Sequence, residues 1–344
     1  MPRRRLVLPF LAVVAAALTP IALSGASAEV EPTSTEMRYG PIYLPPALNG
    51  TPVAVNVGLP DTPMPCENCF LTGADIDMVY ADGKTANLDT GVMLHHTVVF
   101  NSGRPDATCG PDTFLGKMGE RFWAAGNERT SGDFPPGFGY HLGSDPVRGI
   151  AEIMNHSPQP KTVYIVTDMQ HVPDDTPGMK AVTPVWMDMN NCNTSTYEVP
   201  AGPSNKVWTW TSNLTGRIVT AGGHVHDGGL RTVLANDTTG EHICTSHAGY
   251  GTKPEFAGTI ESMSTCFQDR IGTVKKGEIL SLDTYYDSPV AQSDVMGIML
   301  AYVYETEDLA AGSPPPPPTP TPANNTPPKE IGHGHGHNHG AHDH

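Results

Sequence analysis

The chain has 344 residues and a formal net charge of −16, from 20 Lys+Arg against 36 Asp+Glu. That balance excludes nucleic acid and an anionic membrane surface as partners, because both select a basic face. Beyond the N-terminus no stretch is long and apolar enough to cross a bilayer as a helix.

Met1-Pro2-Arg3-Arg4-Arg5 is a basic start, Leu6 to Leu23 is apolar, and Ala26-Ser27-Ala28 is a small-residue cleavage site. Residues 1–28 therefore read as an export signal, with Arg3-Arg4-Arg5 hinting at the twin-arginine route. Pro9, Pro20 and the cleavage site argue against an uncleaved anchor. Cleavage removes three arginines and takes the net charge from −16 to −19. The mature protein is expected to be secreted, with no membrane attachment.

All six cysteines, Cys66, Cys69, Cys109, Cys192, Cys244 and Cys266, lie in the mature part. An even count in an exported chain reads as up to three disulfides. Cys244 and Cys266 are expected to pair within one domain, and the other pairings stay open. Cys66-x-x-Cys69 also has the spacing of a redox or zinc pair, without the second CxxC or βαβ context that would support it.

Helix-period patterns are scarce. Short β-branched and aromatic runs recur at Val53–Val57, Thr97–Phe100, Thr162–Thr167, Val207–Trp210, Arg217–Ala221 and Gly297–Tyr304, separated by Gly, Pro, Asn and Asp. This pattern predicts an all-β protein of the sandwich or barrel class. The polar connector His171–Gly178 divides it into expected domains at 36–178 and 179–306.

Within the first lies Met93-Leu94-His95-His96-Thr97. Adjacent strand residues point to opposite faces, so His95 and His96 share a site only if the strand ends or bulges there, or if they use different ring nitrogens. His156, in Asn155-His156, is either a third imidazole for that pair or an ordinary loop histidine. In the second domain, Gly222-Gly223-His224-Val225-His226-Asp227-Gly228-Gly229 puts two imidazoles on one strand face. Its glycines permit turns and close backbone approach, and Asp227-Gly228 has the look of a plain turn. Met296 starts the last apolar strand and offers a thioether; Met299 falls on the opposite face and reads as core. Two imidazoles with a thioether favour copper, because Cu(I) prefers soft ligands.

After Tyr304 the composition changes. Residues 313–328 form a proline-rich linker and 329–344 a tail carrying His333, His335, His337, His339, His342 and His344. Such a tail binds metals without selecting among them. Its interleaved Gly, Asn and Asp differ from a plain expression tag.

The chain resembles the copper type II, ascorbate-dependent monooxygenases of the peptidylglycine α-hydroxylating and dopamine β-type, and is more similar still to the stress up-regulated Nod 19 proteins. The resemblance covers roughly 40–305. It rests on Leu94-His95-His96-Thr97, Pro136-Gly137-Phe138-Gly139-Tyr140-His141 with Asn155-His156, Gly223–Gly229, and Ser293-Asp294-Val295-Met296. It implies two tandem jelly-roll-type β-sandwich domains facing each other across a solvent-filled cleft. It also implies two copper ions, one on His95, His96 and His156 that stores an electron, and one on His224, His226 and Met296 that meets O2. Ascorbate would supply electrons for hydroxylating a C–H bond of a small substrate. Peptide-amidating members carry an arginine and a tyrosine where this chain has Gly222 and Leu300, so a glycine-extended peptide is not the expected substrate. Thr97 also replaces a methionine common in the family.

Other copper or hydrolase classes fit less well. No Glu follows the HxH as a cupin needs, and cleavage leaves Glu29 rather than a histidine at the mature N-terminus. Cys244 lacks a multicopper setting, and no Gly-x-Ser-x-Gly elbow is present. The alternative of another class is a secreted copper-buffering protein without turnover. Met296 near His224 and His226, and His156 near His95 and His96, are the placements that the two-site reading requires.

Overall fold

The computed structural model describes residues 30–310 apart from 252 and 257. The expected export signal (1–28), proline-rich linker (313–328) and histidine-rich tail (329–344) lie outside the described residues. The described residues from Glu31 onward group as one compact unit.

The described chain is all-β, with three short 3-10 turns and no α-helix among the described residues. All six β-branched runs picked out from the sequence lie in strands. One sheet is ordered β1 (Thr33–Leu44), β8 (Lys161–Pro173), β3 (Cys69–Val79), β6 (Phe138–His141) and β9 (Lys180–Ala181). A second is ordered β2 (Val53–Leu59), β7 (Val147–Asn155), β4 (Val92–Asn101) and β5 (Glu120–Gly126). Their facing side chains, such as Leu44, Met78, Val163, Leu94 and Ile153, are buried in one shared core.

The later residues build two further sheets. One is ordered β10 (Thr183–Asp188), β19 (Gln292–Glu305), β13 (Gly216–Val225) and β17 (Thr265–Val274), with β11 (Thr196–Val199) also pairing β19. The other is ordered β12 (Gly202–Thr211), β18 (Ile279–Ser288), β14 (Gly229–Asn236), β15 (Glu241–Tyr250) and β16 (Ile260–Met263). Val185, Leu234, Leu282, Met299 and Val303 fill the core between them. Met299 is fully buried there, as its place on the strand predicts.

Two features set the site. A smaller apolar cluster of Trp186, Met296 and Ile298 packs against Val98, Ala124 and Leu300, so β10 and β19 lie against β4 and β5. The Tyr302 hydroxyl donates to the Phe122 carbonyl (2.7 Å) across the same junction. Three disulfides close Cys66–Cys69, Cys109–Cys192 and Cys244–Cys266. The last is the expected local bridge, and Cys109–Cys192 ties the loop before β5 to the one after β10. Cys66-x-x-Cys69 closes on itself beside His171.

Candidate metal centre

The register of β4 against β7 slips between Leu94 and His96. Leu94 faces Ile153 and His96 faces Glu152, leaving His95 as the extra residue of a bulge. The side-chain alternation resets there. Leu94 and Thr97 are buried in turn, while His95 and His96 both stay on the other face with Val98. A bulge is the device that lets adjacent residues share a face, and the two ring centroids stand 5.1 Å apart.

His224 and His226 sit at the end of β13, two residues apart on one face, with centroids 5.4 Å apart. The turn that follows needs Gly228 in the left-handed region (φ 90°). Tyr250 holds it by accepting from Gly228 N–H (2.7 Å) and donating to the Gly229 carbonyl (3.0 Å). At Gly223 a Cβ would lie 2.2 Å from Thr232 Oγ1, so close packing against β14 excludes a side chain before the histidines.

The two pairs meet. The His95 and His226 rings are 4.6 Å apart between centroids, which links four imidazoles in the series His96, His95, His226, His224. This departs from two cages set apart across a cleft. The cause is the packing of β4 and β5 against β10 and β19, which brings the His95 and His226 rings into contact.

Three of the rings are oriented through Nδ1. His95 Nδ1 bonds Glu152 Oε1 (3.0 Å), His224 Nδ1 bonds Glu128 Oε1 (3.0 Å), and His226 Nδ1 bonds the Asp294 carbonyl (2.8 Å). A carbonyl can only accept, so His226 carries its proton on Nδ1 and its lone pair on Nε2. Carboxylate and carbonyl partners of this kind fix the tautomer of metal-binding histidines. His96 Nδ1, His224 Nε2 and His226 Nε2 are buried, and no described group hydrogen-bonds them. A buried polar atom left so costs roughly 1–3 kcal/mol. The three belong to a run of neighbouring imidazoles, of which His95 and His96 converge with Glu152, and a donor set of imidazoles with carboxylates behind them fits copper.

Charge follows the same plan. Burial, then the neighbouring His95, push His96 down to about 3. Burial, followed by His95, His224 and His96, holds His226 well below its ordinary value. For His224 burial also lowers the value, but the Glu128 charge and hydrogen bond outweigh it and the net direction is up. Burial raises Glu128, yet its pairing with His224 brings it down overall. Both directions describe one buried pair that is ionised while no metal competes for the ring.

Met296 is buried on β19. The β13–β19 register sets His224 opposite Ile298 and Val225 opposite Gly297, and Met296 is the next residue along β19. The Tyr286 hydroxyl joins the two residues, accepting from His226 N–H (2.8 Å) and donating to the Met296 carbonyl. Met296, His96 and His224 line one cavity of about 990 Å3.

His156 is not gathered with His95 and His96. Its N–H donates to the Gly91 carbonyl (2.8 Å), which places it four residues of extended strand from His95, on the order of 13 Å at about 3.3 Å per residue. The acid that converges on His95 and His96 is Glu152. Glu152 and Glu128 escape a motif reading because neither belongs to a histidine pattern. The available signal for Glu152 is a lone acid inside the apolar run Ile150–Met154, since such a residue is buried only with a partner.

Gly126 is part of the centre as well. It faces His96 across β4 and β5, and a Cβ there would lie 2.4 Å from Glu128 Oε2 and 2.7 Å from His224 Cε1. Gly126→Ala is expected to displace the His224–Glu128 pair and weaken copper binding about tenfold, the low end for a disturbed ligand partner. Competition against a chelator of known affinity measures it. An unchanged affinity would remove Gly126 from the centre.

Residues 153–306 match the family model described as stress up-regulated Nod 19. The chain is 30% identical over 263 residues to the probable copper-dependent oxygenase M1 of a Phoma species, covering 71% of this chain and 66% of that protein. It is 30% identical over 247 residues to the probable copper-dependent oxygenase clz3 of Cochliobolus lunatus, covering 66% of this chain and 77% of that one. Among solved structures, the major capsid protein P2 of bacteriophage PM2 aligns over 80% of this chain and 99% of that chain, at 12% identity and a TM-score of 0.33. So distant a likeness has no bearing on function.

Proposed function

This chain belongs to the Nod 19-like family that includes the probable copper-dependent oxygenases, and on that basis we propose that its four-histidine cluster holds copper and oxygenates a small substrate in the adjoining cavity. The observation that carries the reading is the run of four imidazoles, with His95, His224 and His226 oriented by Glu152, Glu128 and the Asp294 carbonyl and with His96 and His224 at the wall of a cavity of about 990 Å3. A pure buffering site needs no such cavity, which favours turnover over storage.

Copper supplies one-electron redox chemistry toward O2. The overall reaction takes one O2, one substrate C–H bond, two electrons and two protons to one C–OH and one water, with ascorbate as the proposed electron donor. The protein's own groups hold the rings, fix their tautomers and exclude water. His95 and His96 from β4, with His224 from β13 and His226 just after it, are the proposed ligands, and Met296 the proposed soft ligand. His156 is not among the proposed ligands in this reading. The protein is proposed to act after export, with the histidine-rich tail as an unselective metal scavenger apart from the centre.

The test is O2 uptake by copper-loaded protein with ascorbate, with and without candidate substrates, and analysis for a hydroxylated product. Bound copper with no substrate-dependent O2 consumption would leave storage as the function. Met296→Ala is expected to weaken Cu(I) binding and to abolish sulfur scattering in X-ray absorption of the Cu(I) form. Unchanged sulfur scattering would exclude Met296 as a ligand.

A further inference from the structure

The cavity beside the rings says which chemistry of substrate it can take. Its walls include Val98, Ala124, Ile150, Trp186, Ile298 and Leu300. Phe114, 70% exposed, and Phe267, 43% exposed, also line it. Exposed aromatic side chains at a cavity are an entrance for apolar surface.

Acids outnumber the one arginine on the walls, although Glu128 and Glu152 are paired with His224 and His95. Four carboxylates line the cavity: Glu128, Asp133, Glu152 and Asp294. Apart from the histidines, the one cation among the lining residues is Arg121. Arg121 is already neutralised, with Nε and Nη2 on the two oxygens of Asp106 (2.8 and 3.0 Å). An incoming carboxylate would lose its hydration against these acids, and the one guanidinium on the wall already has its charge paired with Asp106, its Nη1 alone lacking a described hydrogen-bond partner. Two neutral donors of lining residues lack a described hydrogen-bond partner, Thr130 Oγ1 and Trp123 Nε1. Trp123 Nε1 is buried without a described hydrogen-bond partner, and a Cβ on Gly132 would lie 2.7 Å from it. The bare Gly132 backbone packs against that buried N–H, where any side chain would collide with it.

We propose that the cavity receives an uncharged, predominantly apolar molecule bearing a hydroxyl or carbonyl oxygen, and that it discriminates against carboxylates. That this molecule is the substrate rests on the oxygenase reading; its binding does not.

Calorimetric titration of the copper-free full chain at pH 7.5 with decan-1-ol, 2-decanone and decanoate tests this, because the three probes differ mainly in their polar end. The alcohol and ketone are expected to bind at least tenfold tighter than decanoate. Phe267→Ala, at an exposed position, should weaken decan-1-ol several-fold. Trp123→Phe should weaken 2-decanone about fivefold, with copper content by metal analysis unchanged in both variants. Decanoate binding equal to or tighter than the alcohol, no binding of any probe, or alcohol affinity unmoved by Phe267→Ala would each overturn the proposal. Since the titration uses copper-free protein, failure of the copper reading leaves its outcome intact and is told apart from it.

Discussion

Lowering the pH from about 6.5 to about 5 is expected to destabilise the copper-free fold at roughly 3 kcal/mol per pH unit. The source is His96, held down to about 3, and His226, held well below its ordinary value. Each binds a proton in the unfolded chain below about 6.5 and none in the folded chain, and each such group is worth about 1.4 kcal/mol per unit. The sign is that of a depressed folded-state value: stability is full above the unfolded value and drains as pH falls. His224 does not cancel this. Its folded value is raised, so in the same window it is protonated in both states. Its own contribution is present below about 6.5 and is lost as pH rises through the raised value. Denaturant unfolding at several pH values measures the slope, and the His96→Phe/His226→Phe variant isolates the two groups. A variant with the same slope as the parent would show that the rings are not buried neutral.

Glu128→Ala is expected to destabilise the fold by about 3–5 kcal/mol, because it leaves His224 in a buried site without its counter-charge. Copper affinity should fall about 10- to 100-fold, since the carboxylate orients the ring through Nδ1. Glu128→Gln keeps an acceptor oxygen within reach of Nδ1 and should recover part of the copper affinity while losing the ion-pair energy. Unfolding curves and chelator competition separate the two effects. Copper affinity unchanged in Glu128→Ala would mean that His224 is positioned by other contacts.

The strands were legible because each buries one face. Val53–Val57, Thr97–Phe100 and Gly297–Tyr304 carry the β-branched and aromatic residues that a half-buried ladder selects, and Gly, Pro and Asn mark their ends. The site was legible only in part. The histidine pairs are local patterns, and the adjacency of His95 and His96 called for a strand end, a bulge or different ring nitrogens, of which the β4–β7 register contains the bulge. What joins one pair to the other is not local. The His95–His226 contact spans 131 positions and depends on how β4 and β5 pack against β10 and β19. His156 illustrates the converse error. It follows a strand that does pair with the His95–His96 strand, yet the register sets it opposite Gly91. Register is decided by the whole ladder, and no motif encodes it. Glu128 and the lining of the cavity were invisible for the same reason, as both are assembled from strands and loops remote in the chain.

The most direct measurement is the amount of tightly held copper in chains ending at residue 310, so that the histidine-rich tail does not contribute. It compares the parent with the double variants His95→Ala/His96→Ala and His224→Ala/His226→Ala. A shared centre predicts that either substitution removes all of the tight copper, because the four rings form one cluster. If each variant instead keeps half of the parent's copper, with the imidazole signature of the untouched pair, the two pairs bind independently and the shared centre is refuted.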